Sequence, residues 1–436
     1  MTLGPVIEAF SMSELAPRMA VVLVLDEVVQ PLPDSPPVPD LSHGPTAGAP
    51  GGVRGGEVLQ QLSARPAGTL ESYLREHPGI AQQVLADPPT AASVALWWNT
   101  LGADQRREVR AGLPGLIGNL EGVPYPIRDA ANRQLLDATI AELEDALSGD
   151  AGRAMLDQTA QQLSMLQSVD AALAEGPQRS LLSLDVAGQG RAAIVIGDLR
   201  TADYVSYLIP GMFFTIENQL GYWVDAAQRL HEQELDFLDR LDHTEPDRRT
   251  VATVAWIGYH TPNLTNIGAI DNARAGAVWL EQALTGLRAV RGADQPYLSV
   301  VAHSYGSTAA LIALTEGDVE VDALALVGSP GSAARSVDDL HVRDGAVFVG
   351  EASWDPVPNS SYFGSDPGAP GYGAVRMGVD GGVDVITGRT LLTSVGHNDY
   401  FSPGTASMRN FALIAIGEGR FVTGVDPTRT ERALGH

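Results

Sequence analysis

Short apolar runs alternate with helical stretches after Leu181, and this alternation limits the possible folds more than any other feature of the chain. Two of the helical stretches are Leu220–Leu241 and Ala273–Val290. Alternation of this kind predicts a mainly parallel β-sheet that is covered by helices on both faces. The predicted strands are 192–196, 204–209, 251–257, 298–302, 323–327 and 346–349.

The part of the chain before this alternation is predicted to be helical. Apolar residues recur at helical spacing over Ala131–Leu147 and Met155–Leu173. We therefore expect a helical region, 57–180, that packs on a catalytic domain, 181–425. Trp97 and Trp98 carry large apolar surfaces that need burial, so we also expect this region to complete the wall of the catalytic pocket.

The two ends of the chain carry fewer signals. Residues 31–56 are dense in proline and glycine, so they are interpreted as a linker that closes an N-terminal segment, 1–56, of open role. Residues 426–436 are interpreted as a tail. The longest apolar run near the start, Met19–Leu25, is too short to cross a bilayer, which requires about 20 residues. No signal-peptide pattern surrounds that run, so a cytoplasmic location is expected.

Charge and composition exclude several classes of function. The 53 acidic residues outnumber the 28 basic ones and give a net charge of −25, which disfavours a nucleic-acid partner. The absence of cysteine excludes thiolate metal sites and a cysteine nucleophile. The sequence contains no H-E-x-x-H motif, and its glycine-rich stretches lack the strand and helix that flank a nucleotide-binding loop. We therefore expect neither a metal nor a cofactor, and the oligomeric state stays open.

A candidate nucleophile lies in Tyr297–Leu311, where β-forming residues lead into a helix-forming stretch. Between them the sequence Ala-His-Ser-Tyr-Gly is typical of a nucleophile elbow with Ala302 in place of the first glycine. Ser304 would be the nucleophile, Gly306 provides the small residue after it, and the backbone N–H of Tyr305 is a candidate oxyanion donor at the helix N-terminus. The alternative is a serine that caps an ordinary helix.

The general base is predicted from the order of residues after Ser304. In this arrangement an acid and then a histidine follow the serine along the chain. Before the C-terminal residue, only His341 and His397 follow Ser304. His341 lies in a polar, acidic stretch that suits a solvated surface, whereas His397 precedes the last predicted helix. His397 is therefore the predicted base.

The orienting acid is predicted to be Asp355, which follows the predicted strand 346–349. A carboxylate at that end of a strand can reach the site, because ligands of parallel sheets bind at the carboxyl ends of the strands. Asp366 and Asp384 remain alternatives, and the alternative role for Asp355 is to begin a turn with Pro356.

Further candidate residues lie in the loops. The backbone N–H of Met212, or of Gly211, is predicted to be the second oxyanion donor. The alternative is that Pro210 and Gly211 form an ordinary β-turn. Four side chains are candidates for substrate contact, although each type is more often found in core or loop packing: Tyr259, His260, Trp354 and Tyr362.

Several motifs resemble those of an actinobacterial α/β-hydrolase family of unknown function. In order along the chain they are PGM, WIGY, AHSYGS, VGSPG, WDPVP and GHNDYF, preceded by WWNTL, IGNLEGVP and RDAANR. The resemblance runs from about Ala92 to about Gly417. It implies the α/β-hydrolase fold and a catalytic triad of Ser304, Asp355 and His397.

The sequence departs from this family at two positions. Ala302 replaces an expected glycine, and His260 stands where an acidic residue is expected. The resemblance implies no substrate. The motifs favour a carboxylesterase- or lipase-like serine hydrolase that cleaves a small-molecule ester through an acyl-enzyme. An amidase or peptidase with the same triad, and a non-catalytic binding protein on this scaffold, are the alternatives.

Overall fold

An eight-stranded β-sheet forms the centre of the computed structural model, which describes residues 54–149, 152–176, 178–241, 249–261, 270–358 and 360–424. The strand order is β1–β2–β4–β3–β5–β6–β7–β8. The strands are β1 (Arg179–Asp185), β2 (Arg191–Gly197), β3 (Tyr204–Ile209), β4 (Val251–Ile257), β5 (Tyr297–His303), β6 (Ala323–Val327), β7 (Val347–Gly350) and β8 (Val375–Arg376). A separate hairpin is formed by β9 (Gly382–Val383) and β10 (Thr390–Leu391).

The sheet is mainly parallel, as predicted. Only β2 runs against both of its neighbours, β1 and β4, while every other adjacent pair from β4 to β8 is parallel. All six predicted strands are present. The first strand, β1, escaped prediction because its Arg, Ser and Asp residues interrupt the apolar pattern.

Two pairs of helices accompany the sheet. The helices are α9 (Ile216–Leu241), α10 (Asp271–Arg291), α11 (Tyr305–Glu316) and α12 (Ala406–Ala415). α9 packs against α12, and α10 packs against α11. This architecture confirms the predicted fold class.

Eight helices make up the described part of the N-terminal region. They are α1 (Gly55–Ser63), α2 (Leu70–Glu76), α3 (Ile80–Ala86), α4 (Ala91–Thr100), α5 (Ala103–Gly112), α6 (Pro114–Asn119), α7 (Tyr125–Leu147) and α8 (Arg153–Ala174). Helices α1 to α6 enclose a hydrophobic core of their own, which buries Trp97 and Trp98. Helices α7 and α8 contribute instead to the main core, for example through Leu136 and Leu166.

The outer edge of the sheet is capped by side chains of the helical region. Asn119 donates to the carbonyl oxygen of Leu184 at 2.8 Å and accepts from its N–H at 2.9 Å. Asp129 accepts from the N–H of Leu181 at 2.7 Å, and Asn132 donates to the Leu181 carbonyl oxygen at 3.0 Å. An edge strand with free backbone groups is open to pairing with another chain. These side chains satisfy four such groups of β1.

The described interface between the helical region and the sheet includes a cavity of about 370 Å³ far from the candidate site. Its lining includes Trp98 and Tyr125 from the helical region, and Arg200 and Arg291 from the core. Arg200 precedes β3 and Arg291 precedes β5, whereas Ser304 follows β5, so the cavity lies at the opposite ends of the parallel strands. The described contacts therefore do not support the expectation that the helical region completes the wall of the catalytic pocket. The boundary between the helical region and the catalytic domain stays a prediction.

Some sequence predictions fall outside the described residues, including Met19–Leu25, the tail 426–436 and most of the linker 31–56. The predicted last residue of the linker, residue 56, is wrong, because α1 already begins at Gly55. A Cβ at this position would lie 2.3 Å from the carbonyl oxygen of Asp87, so glycine permits the close packing. Among the described helices, none is long and apolar enough to span a membrane.

A buried carboxyl group lies between α9 and the sheet. Glu234 has no exposed surface, and it accepts hydrogen bonds from Ser206 at 2.8 Å and Thr253 at 2.9 Å. Both donors are uncharged hydroxyl groups, on adjacent strands β3 and β4. Burial raises the pKa of Glu234 from 4.5 to about 7, against the smaller opposing effect of the two hydrogen bonds.

We expect Glu234→Gln to reduce the pH dependence of stability. The stabilising contribution of protonated Glu234 is fully present below its unfolded pKa of 4.5 and is lost as the pH rises through about 7. From pH 5 to pH 8 the unsubstituted protein should lose about 2–3 kcal/mol relative to the glutamine variant. Urea unfolding of both proteins at both pH values measures this difference.

Glu232→Gln is the matched control, because Glu232 lies on the same helix with its side chain exposed. This control should show the pH dependence of the unsubstituted protein. A Glu234→Gln curve parallel to that of the unsubstituted protein would contradict the expected effect.

Candidate active site

Ser304 lies at the tight turn between β5 and α11. Its backbone has φ 52° and ψ −130°, a conformation that L-residues rarely adopt. The turn requires small neighbours, because a Cβ at Gly306 would lie 2.2 Å from the carbonyl oxygen of Pro210. Ala302, which replaces the glycine expected from the motif, is fully buried, so its methyl group is accommodated within the core.

Three predicted residues form a hydrogen-bonded chain, called here the relay: Ser304, His397 and Asp355. His397 Nε2 lies 2.7 Å from Ser304 Oγ, and His397 Nδ1 lies 2.9 Å from Asp355 Oδ1. A carboxylate only accepts hydrogen bonds, so Nδ1 donates to Asp355 and Nε2 is left to accept from the serine hydroxyl. Only 1% of Ser304 and 6% of His397 are exposed, so water has little access to these bonds.

The carboxylate of Asp355 is held by further donors. Tyr400 donates its hydroxyl to Oδ2 at 2.6 Å, and the N–H of Val357 donates to Oδ1 at 3.0 Å. Burial on its own would raise the pKa of Asp355, but the hydrogen bonds from His397 and Tyr400 outweigh it and leave the pKa below its ordinary value. Asp355 is therefore ionised at neutral pH.

The alternatives that the sequence left open lie elsewhere. His341 Nδ1 is 2.9 Å from the carbonyl oxygen of Gly317, just after the far end of α11. Asp384 forms a buried ion pair with Arg409 at 2.7 Å. Asp366 accepts a hydrogen bond from a backbone N–H in its own turn.

His303 supports the relay, and the sequence analysis assigned it no role. Its Nε2 lies 2.8 Å from the backbone carbonyl oxygen of His397, so Nε2 carries the proton and donates it. The two imidazole rings lie 4.7 Å apart between centroids. Burial, with a smaller effect from His397, lowers the pKa of His303 to about 3, so His303 stays neutral and adds no charge beside the relay.

Gly328 leaves room for the relay. A Cβ at this position would lie 2.9 Å from His397 Cε1 and 3.0 Å from Asp355 Oδ2, and the φ of 58° also favours glycine. Gly328 lies in the VGSPG motif and Tyr400 in the GHNDYF motif, but no local pattern in the sequence indicates their role. Their position beside Asp355 and His397 depends on loops that meet only in the folded chain.

The loop after β3 lies against Ser304. A Cβ at Gly211 would be 2.6 Å from Ser304 Cβ and 3.2 Å from its Oγ. Tyr259 donates its hydroxyl to the carbonyl oxygen of Pro210 at 2.7 Å and thereby fixes the start of this loop. The loop that carries Met212 is thus adjacent to the serine, and Tyr305 begins α11 on the other side of the turn.

The predicted substrate contacts differ in exposure. Tyr259 is 1% exposed and stacks on Tyr305 at 6.3 Å between centroids, which argues against the expected contact with substrate. His260 is partly buried, and burial lowers its pKa. Trp354 and Tyr362 are 90% and 51% exposed, so both side chains are available for contact. Within the described ranges, no cluster of three or more His, Asp or Glu side chains is suited to a metal ion.

Comparison with known proteins finds a family similar to part of the chain. Residues 185–365 match a family model described as alpha/beta hydrolase. An uncharacterized protein of Mycobacterium tuberculosis strain H37Rv is 27% identical over 380 residues, which cover 76% of this chain and 56% of the relative. The match therefore spans little more than half the length of that relative. An uncharacterized protein of Mycobacterium bovis strain AF2122/97 is 29% identical over 213 residues, covering 47% of this chain and 79% of the relative.

Solved structures give a more distant likeness. A thermophilic and thermostable carboxylesterase cloned from a metagenomic library aligns at 16% identity with a TM-score of 0.30, covering 63% of this chain and 98% of that one. These values are too low to support an argument about activity. The chain therefore has the α/β-hydrolase fold, and by the family match and the mycobacterial relatives it is similar to an actinobacterial α/β-hydrolase family of unknown function.

Proposed function

We propose that this protein is a serine hydrolase that cleaves a carboxylic ester through an acyl-enzyme intermediate. The observation that carries the proposal is the relay, with Ser304 on a strained turn, His397 within 2.7 Å of its hydroxyl and Asp355 within 2.9 Å of the imidazole. A serine hydroxyl is a weak nucleophile until an adjacent base removes its proton. This geometry supplies that base in the required tautomer.

The first half of the reaction transfers the acyl group to the serine. His397 Nε2 takes the hydroxyl proton as Ser304 Oγ bonds to the ester carbonyl carbon, which gives a tetrahedral oxyanion. His397 then donates this proton to the leaving alkoxide oxygen as the carbon–oxygen bond breaks. An alcohol departs, and the acyl group remains bound to Ser304.

In the second half, water releases the acyl group. His397 takes a proton from the water as its oxygen attacks the acyl carbon, and a second tetrahedral intermediate forms. The bond to Ser304 Oγ then breaks, and the serine oxygen recovers its proton from His397. A carboxylic acid leaves, and the relay returns to its starting state.

Backbone donors would stabilise the oxyanion in both halves. We assign this role to the N–H of Tyr305, at the N-terminus of α11, and to the N–H of Met212 or Gly211 in the loop against Ser304. Asp355 stabilises the imidazolium that forms on His397. Tyr400 adds a hydrogen bond to that of His397 in favouring ionised Asp355, and His303 donates to the backbone carbonyl oxygen of His397.

We expect Ser304→Ala to abolish hydrolysis of an activated ester such as p-nitrophenyl butyrate while leaving the fold intact. Loss of a triad nucleophile lowers kcat by around a millionfold. The same variant should lose labelling by a fluorophosphonate probe, and steady-state kinetics with gel fluorescence measure both effects.

The matched control is Ser72→Ala, because the Ser72 hydroxyl bonds only a local carbonyl oxygen at the surface. It should keep its turnover and its labelling. Near-normal turnover by Ser304→Ala would refute the assignment. Hydrolysis of a matched amide faster than its ester would favour the amidase or peptidase reading.

We expect Gly328→Ala to lower kcat by at least tenfold, because the new methyl group would displace His397 or Asp355. Gly292→Ala is the matched control. Gly292 has a φ of 61°, close to the 58° of Gly328, but a Cβ there meets no atom within 4 Å.

The two variants therefore both place alanine at a positive φ, and they differ in the contact with the relay. Steady-state kinetics and thermal unfolding of both separate these effects. An equal loss of kcat in the two variants would argue that strain, and not displacement of the relay, is responsible.

A further inference from the structure

Trp354 is the most exposed large hydrophobic side chain in the described part of the chain. Its exposed fraction is 90%, and its backbone φ is 65°. A left-handed conformation is unfavourable for a residue that is not glycine. Trp354 is thus an exposed tryptophan on a left-handed backbone, immediately before Asp355.

Exposed apolar side chains are concentrated in the segment that joins Asp355 to His397. Nine large hydrophobic residues are exposed within the described ranges, and six of them lie between positions 354 and 395. The six are Trp354, Tyr362, Val383, Val385, Leu392 and Val395. Single exposed apolar residues are ordinary on a protein surface, whereas a concentration of them marks a surface that binds something.

Three of these residues are connected to the relay along the chain or through ring contacts, and we call them the apolar rim: Trp354, Tyr362 and Val395. Trp354 precedes Asp355, and Val395 lies two residues before His397. A backbone bridge between Ser353 and Val395 brings the two segments side by side.

Tyr362 reaches the nucleophile turn through an aromatic contact. Its ring packs on Phe363 at 4.8 Å between centroids, and Phe363 packs on Tyr305 at 5.4 Å. Asp355 and His397 therefore each have an exposed apolar residue within two positions along the chain, and Tyr362 is linked through Phe363 to Tyr305, the residue after Ser304.

We propose that the site acts on uncharged esters with a long apolar acyl chain, and that the apolar rim receives this chain. The inference rests on the proposed function and names its class of substrate. Contact with an alkyl chain would remove apolar surface of the rim from water and so favour binding. The net charge of −25 disfavours anionic substrates, so an uncharged ester fits this surface better.

The test is a series of p-nitrophenyl esters from acetate to dodecanoate, each held below its micelle concentration. The measured quantity is the ratio of kcat/KM for decanoate to that for acetate. Trp354→Asn replaces the apolar ring by a polar side chain that tolerates a left-handed backbone, so the fold should be retained. Val395→Thr removes apolar character at nearly constant shape.

We expect the unsubstituted protein to prefer the longer chains, and each rim variant to lower the ratio by about tenfold. Leu96→Gln is the matched control. Leu96 is 69% exposed on α4, outside the rim, and glutamine is a good helix former, so this ratio should not change.

The outcomes separate this inference from the proposed function. If Ser304 is labelled by the fluorophosphonate probe and short esters are cleaved, but the ratio is insensitive to the rim variants, the acyl-chain inference is wrong and the serine hydrolase stands. A preference of the unsubstituted protein for acetate would also overturn it. If no ester is cleaved and Ser304 is not labelled, the proposed function itself fails.

Discussion

The close approach of α11 to the loop after β3 sets the geometry of the whole site. Gly306 permits this approach, because any side chain there would meet the Pro210 carbonyl oxygen. The same carbonyl accepts the Tyr259 hydroxyl, so the loop is fixed from both sides. With the helix held this close to the sheet, the chain turns through the left-handed conformation of Ser304, and the hydroxyl is directed out of the sheet towards His397.

Asp355 and His397 lie on loops, and these loops are held by contacts other than those of the hydrophobic core. The loop of Asp355 and the loop of His397 are joined to each other by the Ser353–Val395 bridge and by Tyr400, whose hydroxyl contacts both Asp355 and the N–H of Ala352. His303 connects the His397 backbone to the end of β5. Contacts from separate segments therefore hold Asp355 and His397 in place.

The sequence was most informative where one pattern determines the structure. The apolar runs predicted the six central strands, because buried parallel strands need continuous apolar residues. The serine motif predicted the turn, because its small residues follow from steric limits of that turn. The order of serine, acid and histidine along the chain, together with the place of Asp355 after a strand, favoured three residues that the folded chain brings within hydrogen-bonding distance.

The parts that escaped prediction depend on contacts between distant segments. β1 carries polar residues, and its pairing needs β2 on one side and the amides of α6 and α7 on the other. Tyr259 was predicted to contact substrate, yet its hydroxyl donates a hydrogen bond to the Pro210 carbonyl oxygen and so holds the loop after β3. His303, Gly328 and Tyr400 have no local signature of their roles, because a hydrogen bond across ninety residues leaves no spacing in the sequence.

The cap on β1 also bears on how the chain is made. Synthesis proceeds from the N-terminus, and domains generally fold as units in that order. Helices α1 to α6 have their own hydrophobic core, and α6 and α7 carry Asn119, Asp129 and Asn132 ahead of the strand that they cover. The residues that close the sheet edge therefore leave the ribosome before the edge itself does. A nascent β1 meets a partner from its own chain before it can meet a neighbouring polypeptide.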